Sequence, residues 1–151
     1  MQVFAGCALP EEYLYDLELD VWIRLEEDGS ARLGMTDVAQ TLCGKLVAIT
    51  FQKRPGDEVR RGRTLAVIES AKWVGPFRSP LSGEVLAINE QAFRADRLLA
   101  NRDPYGAGWL VRLMPSALDA ERDRLLDGLA AFPLVRERIE RNEIRCYRCA
   151  D

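Results

Sequence analysis

The sequence predicts a mainly β fold with helices: a sandwich or barrel of two pseudo-symmetric sheets folded against each other, with helices added at the C-terminal end. Three observations predict it. Short apolar segments separated by turn residues recur from about residue 21 to residue 113, part of that pattern occurs twice, and beyond Pro115 the apolar spacing turns helical. At 151 residues the chain is one domain, or one domain with a modest appendage, long enough to bury a real core. The expected organisation is an N-terminal segment over 1–20 packing on the core, a β domain over 21–115, helices over 116–143 covering the core, and a mobile tail over 144–151.

Val21-Trp22-Ile23-Arg24-Leu25 reads as a first strand, Asp28-Gly29 as a hairpin turn, and Ala31-Arg32-Leu33-Gly34-Met35 as the returning partner. Thr36 or Asp37 then caps a brief helix through Leu42, which Gly44 ends. Leu46 to Phe51 is the next strand. After the Arg54-Pro55-Gly56-Asp57 turn, Val59 and the turn at Gly62, the segment Thr64 to Ile68 closes the first half. The second half repeats it: Gly44-Lys45-Leu46-Val47-Ala48-Ile49 matches Gly83-Glu84-Val85-Leu86-Ala87-Ile88, and Leu65-Ala66-Val67-Ile68 has a counterpart in Trp109-Leu110-Val111-Arg112-Leu113. An insertion around Phe93 to Asn101 has the composition of a short helix. Each half leaves one apolar face that its copy covers, which pairs the sheets. Glu69 to Pro76, between the halves, is read as the connecting turn. Further on, Ser116-Ala117-Leu118-Asp119 has the form of a capping box for a helix that Gly128 stops, and Phe132-Pro133 opens a second helix with Leu134, Val135 and Ile139 on one face.

Composition narrows the chemistry. The chain has no histidine, which excludes Ser-His-Asp and Cys-His hydrolases, His-ligated zinc or haem, and imidazole acid/base catalysis. A net charge of -3 from 24 acidic and 21 basic residues gives no one-signed field of the kind a nucleic-acid reader shows. No window is apolar for long enough to span a membrane, and the start lacks a basic segment followed by an apolar run, so the protein is read as cytoplasmic. Of the four cysteines, Cys7 and Cys43 stand alone and are read as small, buried or half-buried, free side chains. Cys146 and Cys149 form a single C-x-x-C, with no second pair to complete a zinc site.

Only three lysines occur, Lys45, Lys53 and Lys72, so amine chemistry has few candidates. Lys72 falls at the junction of the two half-repeats, between the strand ending at Ile68-Glu69 and the Ser79-Pro80-Leu81-Ser82-Gly83 segment. An amine at such a turn tip is open to a modifying enzyme, whereas a lysine along a strand face is not.

Here the sequence resembles the lipoyl-carrier domains, and in particular the glycine cleavage H proteins. The resemblance covers roughly Trp22 to Pro115. It rests on Gly34-Met35-Thr36-Asp37-Val38-Ala39-Gln40, Val67-Ile68-Glu69-Ser70-Ala71-Lys72, Ser79-Pro80-Leu81-Ser82-Gly83-Glu84-Val85, Ile88-Asn89-Glu90 and Pro104-Tyr105-Gly106-Ala107-Gly108-Trp109-Leu110, in that order. The resemblance implies a lipoyl/biotinyl-type barrel-sandwich hybrid over 21–115 and a carrier rather than an enzyme. It also implies lipoic acid attached as an amide to Lys72 by a lipoate-protein ligase or another lipoylating enzyme, with Glu69 and Ser70 shaping the recognised turn. A dithiolane on a long arm supplies its own exchange chemistry, so the carrier needs no general base. A biotin carrier of the same fold usually shows Met-Lys-Met at the tip, which Ala71-Lys72-Trp73 does not match. An unmodified scaffold, with Lys72 an ordinary surface residue, is the remaining alternative.

Two departures from the H-protein pattern stand out. Asp20-Val21-Trp22 replaces the usual His-Glu-Trp, and Lys72-Trp73-Val74-Gly75-Pro76 puts an aromatic and a Gly-Pro pair where small or polar residues are common. Trp73 packs on the lipoyl arm or a partner, or else plugs the sheet edge. With Leu9-Pro10-Glu11-Glu12-Tyr13 and the terminal Cys146-Tyr147-Arg148-Cys149, these departures look more like the H-protein-like lipoate-binding proteins of the heterodisulfide-reductase-like sulfur-oxidation system. That resemblance implies sulfane sulfur as cargo and a heterodisulfide-reductase-like complex as partner. The alternative is a glycine cleavage H protein carrying an aminomethyl group among the P, T and L proteins. Cys146 and Cys149 then read either as a redox thiol pair, favoured as thiolate by Arg145 and Arg148, or as an untidy tail with unpaired thiols.

Overall fold

The computed structural model describes residues 1–148. A hairpin of β1 (Gln2–Phe4) and β2 (Cys7–Leu9) is followed by β3 (Leu14–Asp16), β4 (Val21–Leu25) and β5 (Ala31–Met35). Helix α1 (Asp37–Cys43) leads into β6 (Leu46–Phe51), β7 (Glu58–Val59), β8 (Thr64–Ser70), β9 (Val74–Arg78) and β10 (Gly83–Ile88). Helices α2 (Glu90–Ala95) and α3 (Leu99–Arg102) precede β11 (Val111–Pro115). Helix α4 (Leu118–Glu121), a 3-10 turn (Arg122–Arg124), β12 (Leu126–Asp127) and α5 (Gly128–Arg141) complete the described order. Strands pair antiparallel in a seven-stranded sheet ordered β12-β3-β4-β5-β11-β10-β7 and a three-stranded sheet ordered β6-β8-β9. The mainly β fold with helices is the one the sequence predicts.

The internal repeat is a repeat of pairing. Strand β6 pairs with β8 as β10 pairs with β11, and a bulge falls at the matching position of each copy, at Val47 in one and Leu86 in the other. The sheets are unequal because β7, from the first half, pairs with β10 of the second, and because β3, β4, β5 and β12 extend the larger sheet.

Side chains along β4 alternate between two cores. Val21 and Ile23 join Leu33, Leu65, Ile68, Leu81, Leu110 and Leu113 between the sheets. Trp22 faces the other way, into a second core with Tyr13, Tyr15, Tyr105, Val135 and Ile139. That core is closed by the N-terminal hairpin and α5, so the two ends of the chain cover the outer face of the large sheet together. Trp22 is fully buried, its Nε1 donates to the Pro104 carbonyl at 2.9 Å, and its ring lies over Gly34, where a Cβ would come within 2.5 Å. The glycine that opens the Gly-Met-Thr-Asp motif is therefore a seat for an indole.

Four expectations are corrected. The Gly75-Pro76 pair, read as part of a turn, lies in strand β9. It is tolerated there because β9 is the edge of its sheet, where a missing amide hydrogen breaks no ladder. The helix read from Ser116 up to Gly128 ends at Glu121 with no side-chain cap, and Gly128, read as its stop, instead begins α5, four residues before the expected start at Phe132. Asp127 caps that helix by accepting from the Ala130 amide, and a Cβ on Gly128 would collide with the Glu11 backbone. Cys7, read as free, is disulfide-bonded to Cys146. Finally, residues 144–148, expected as part of a mobile tail, are tied down as a strap across α1. Ile144 is buried, the Cys146 amide donates to Ala5, and the Tyr147 carbonyl accepts from Gln40 Nε2 at 2.7 Å. The rest of the expected tail, including Cys149, lies outside the described residues.

Candidate functional site

The site is the tip between β8 and β9. Ser70 closes it: its amide donates to the Trp73 carbonyl at 2.8 Å, and its hydroxyl donates to the Cys43 carbonyl at 2.7 Å and accepts from the Lys72 amide at 3.3 Å. The Ser70 side chain is buried, so it acts on the turn from beneath rather than as a surface contact. Glu69 is exposed, paired in register with Ala48 on one side and Val74 on the other. Lys72 is exposed at the turn, with its aliphatic chain laid over Gly44.

Gly44 is the residue that ends α1, with φ at 84° and ψ at -169°, a conformation open to glycine and strained for anything else. Beneath it, buried Asn101 donates to the Gly44 carbonyl at 2.9 Å and to Gln40 Oε1 at 3.2 Å, while its own oxygen accepts from the Leu46 amide at 3.0 Å. Gln40 is equally buried and donates to Asp37, Thr41 and Tyr147. One amide side chain thus holds the end of α1, the start of β6 and the floor under Lys72. Asn101, Gln40 and Gly44 were not read from the sequence as site residues. The available signal was polar: an Asn and a Gln placed among apolar neighbours must be buried with partners or pointed outward, and only the fold says which.

A cleft of about 300 Å³ opens beside the tip, lined by Leu19, Met35, Leu42, Ile68, Trp73 and Phe77, with Asp20 and Cys43 as polar elements in its wall. Trp73 is half-exposed, and its ring folds over Gly75, where a Cβ would collide with it. It forms one wall of the cleft and leaves a face open to solvent. Asp20, in the left-handed region at φ 59°, is gripped by Arg138 of α5 at 2.5 and 3.1 Å, which raises the guanidinium's pKa further. Cys43 is free and buried. Burial pushes its thiol pKa up, and a hydrogen bond with Ser70 and the charge of Lys72 partly oppose that.

The structure therefore brings Lys72, Ser70 and Trp73 together with Gly44, Cys43 and the cleft, and leaves Glu69 on the outer surface. Neither reading of Cys146 holds, as a redox thiol beside Cys149 or as an unpaired tail thiol, and Cys149 lies outside the described residues. Cys146 bonds to Cys7, their Cα atoms 4.7 Å apart, on the α5 side of the large sheet. No helix among the described residues is long and apolar enough to cross a membrane.

Comparison with known proteins gives a consistent result. The family model for the glycine cleavage H-protein matches residues 13–137. Glycine cleavage system H protein 2 of Aquifex aeolicus (strain VF5) is 38% identical over 146 residues, covering 97% of this chain and 89% of that protein. Glycine cleavage system H protein 3 of the same organism is 36% identical over 149 residues, covering 97% and 91%. The crystal structure of a glycine cleavage system H protein from Mycobacterium marinum superposes with a TM-score of 0.71 at 29% identity, over 90% of this chain and 100% of that one.

Proposed function

Because the chain belongs to the glycine cleavage H-protein family, we propose that it is a lipoyl carrier and not itself an enzyme, loaded with lipoic acid as an amide on Lys72 by a lipoate-protein ligase or another lipoylating enzyme. The observation that carries this reading is Lys72 itself, exposed at a two-strand tip with an apolar cleft beginning next to it. The cleft suits the group: its Leu, Ile, Met, Phe and Trp walls match an aliphatic arm, and about 300 Å³ is the scale of a small-ligand pocket. When bound, the lipoyl group supplies dithiol–disulfide exchange and a place to bond a transferred group.

The chain's own residues do the rest. Ser70 holds the turn so that Lys72 stays exposed, and Gly44 gives the lysine chain its floor. Trp73, with one face in the cleft and one in solvent, shelters the arm from water on one side and offers an aromatic contact to a partner on the other. Glu69 presents a carboxylate beside the tip for the lipoylating enzyme to read.

The names of the relatives favour the aminomethyl group of glycine cleavage as cargo, passed among the P, T and L proteins in the cytoplasm. A second reading is favoured by two specific observations. Asp20, locked to Arg138, stands at the cleft where the H-protein pattern has a histidine, and Aquifex aeolicus has H proteins numbered 2, 3 and 5 at comparable identity to this chain. In that reading the arm carries sulfane sulfur toward a heterodisulfide-reductase-like complex. The test has two stages. Chain co-produced with lipoate and a lipoate-protein ligase gains one lipoyl adduct, which Lys72→Arg abolishes; a chain that stays unmodified refutes the carrier reading. Loaded protein is then offered glycine with the decarboxylase subunit, or a sulfane-sulfur donor with the heterodisulfide-reductase-like complex, and the mass added to the arm identifies the cargo.

A further inference from the structure

We propose that the Cys7–Cys146 disulfide is a reversible latch that holds the C-terminal strap, residues 144–148, on α1 and through it sets how firmly Lys72 is seated. As a statement about regulation of the lipoyl site, it rests on the carrier reading above.

The strap has a built seat. The β1–β2 turn at Ala5 and Gly6 receives it: the Ala5 carbonyl accepts from the Cys146 amide at 3.0 Å, and a Cβ on Gly6 would lie 2.6 Å from the Cys146 carbonyl oxygen. Both sulfurs are buried, and the bond closes a loop of 139 residues, so one covalent link joins the two ends of the chain. Past the disulfide, the strap supplies partners that α1 needs. The Tyr147 carbonyl accepts from Gln40 Nε2 and from Thr41 Oγ1, and Arg148 reaches the buried Asp37 carboxylate at 3.5 Å.

From there the connection to the lysine is continuous. Gln40 Oε1 accepts from Asn101 Nδ2, Asn101 holds the Gly44 carbonyl and the Leu46 amide, and Gly44 is the floor under Lys72. Removing the strap leaves Gln40 its Asp37 and Thr41 acceptors but takes the acceptor from the Thr41 hydroxyl and a counter-charge from Asp37, both buried, and a half-satisfied buried network is the part of a fold that loosens first. The strap and the disulfide protect each other: the sulfurs become reachable when the strap peels, and the strap peels freely once the sulfurs part.

The chemistry is ordinary thiol–disulfide exchange with a dithiol reductant. One reductant thiolate attacks a sulfur of the Cys7–Cys146 pair, the S–S bond breaks, and the other cysteine leaves as a thiolate and takes a proton. The reductant's second thiol then attacks the mixed disulfide, closing the reductant to a cyclic disulfide and freeing the remaining cysteine. Two electrons and two protons pass from the dithiol to the protein, and the latch closes again by the reverse exchange with a small disulfide oxidant, which takes those two electrons and two protons back.

The experiment uses the full chain carrying Cys149→Ser, oxidised or treated with dithiothreitol, and reads amide hydrogen exchange peptide by peptide. Reduction is expected to speed exchange about tenfold or more at Cys146 and Tyr147 and also at Leu46, with protection restored on reoxidation. The same two forms are compared for rate of Lys72 loading by a lipoate-protein ligase, which changes with redox state. Exchange unchanged on reduction overturns the latch; a change confined to 144–148 overturns its link to the lysine. A peptide map without a Cys7–Cys146 cross-link after mild oxidation overturns both. The Cys7→Ser/Cys146→Ser chain reproduces the reduced state, and dithiothreitol on the Cys149→Ser chain gives the answer if that variant does not fold. If neither form is lipoylated, the carrier reading fails while the exchange result on the strap stands by itself.

Discussion

Lys72 and Gly44 are in direct contact: a Cβ on Gly44 would come 2.9 Å from the lysine Cε. The glycine that terminates α1 is also the surface on which the candidate attachment lysine rests, so helix end and candidate site are one feature. Gly44→Ala places a side chain at φ 84° and under the lysine at once. It should cost about 1–3 kcal/mol of stability in a urea titration and slow Lys72 loading in a timed mass assay. A variant that melts and loads like the parent removes Gly44 from the site.

Asn101 is the buried hub beneath that contact. Asn101→Ala strands the Leu46 amide and the Gly44 carbonyl and should cost about 1–3 kcal/mol per unsatisfied group. Asn101→Asp should be worse at neutral pH, because it keeps the acceptor for Leu46 but turns a carboxylate oxygen toward the Gly44 carbonyl and Gln40 Oε1. Thermal melts of both variants, compared at pH 5 and pH 8, check the order.

Cys43 offers a pH test. Burial raises its pKa, so the folded state favours the neutral thiol. Its contribution to stability is full below the ordinary thiol value and is lost as pH rises from there toward the folded value, since the unfolded chain gives up the proton first. Alkylation by iodoacetamide at pH 8 should therefore be much slower in native protein than in denaturant. Loading Lys72 as an amide removes a nearby positive charge that holds the pKa down, so the loaded form should react more slowly still. Equal rates with and without the lipoyl group would show that the lysine charge does not reach the thiol.

Gly34→Ala forces a methyl group to within 2.5 Å of the Trp22 ring. Overpacking of this kind costs about 1–3 kcal/mol, and for a chain of this size each kcal/mol lowers Tm by about 2–4 °C. The near-ultraviolet circular dichroism of Trp22 should change with it, whereas Gly29→Ala, in an open turn, should leave that signal alone.

Asp20→Asn removes the carboxylate that both Arg138 nitrogens hold, leaving a partly buried guanidinium short of its partner. A loss of about 1–3 kcal/mol is expected. Arg138→Lys should recover little of the fork geometry, so the two single variants should resemble each other in urea.

Local patterns made most of the elements legible. The β4–β5 hairpin, the Thr36-capped α1 ended by Gly44, and the strands β6, β8, β10 and β11 follow from residue spacing, and the place of Lys72 at a turn tip follows from the junction of the repeat. What escaped depends on distant neighbours. Pro76 reads as a turn until its strand is known to be an edge, and Gly128 reads as a stop until Glu11 is known to press against it. The partner of Cys146 lies 139 residues away, beyond the reach of any local rule, while its neighbour in the C-x-x-C is the obvious wrong choice.

The edge strand β9 has one more consequence. It runs from the lysine tip with its outer side unpaired, and Pro76, in its middle, has no amide hydrogen to give an incoming strand. Extension of the sheet along β9 is therefore disfavoured at Pro76, and a contact at this edge falls more to side chains, the exposed Trp73 and Val74 among them. For the carrier proposed above, an edge poor in main-chain donors suits contacts that form and release over ones that adhere.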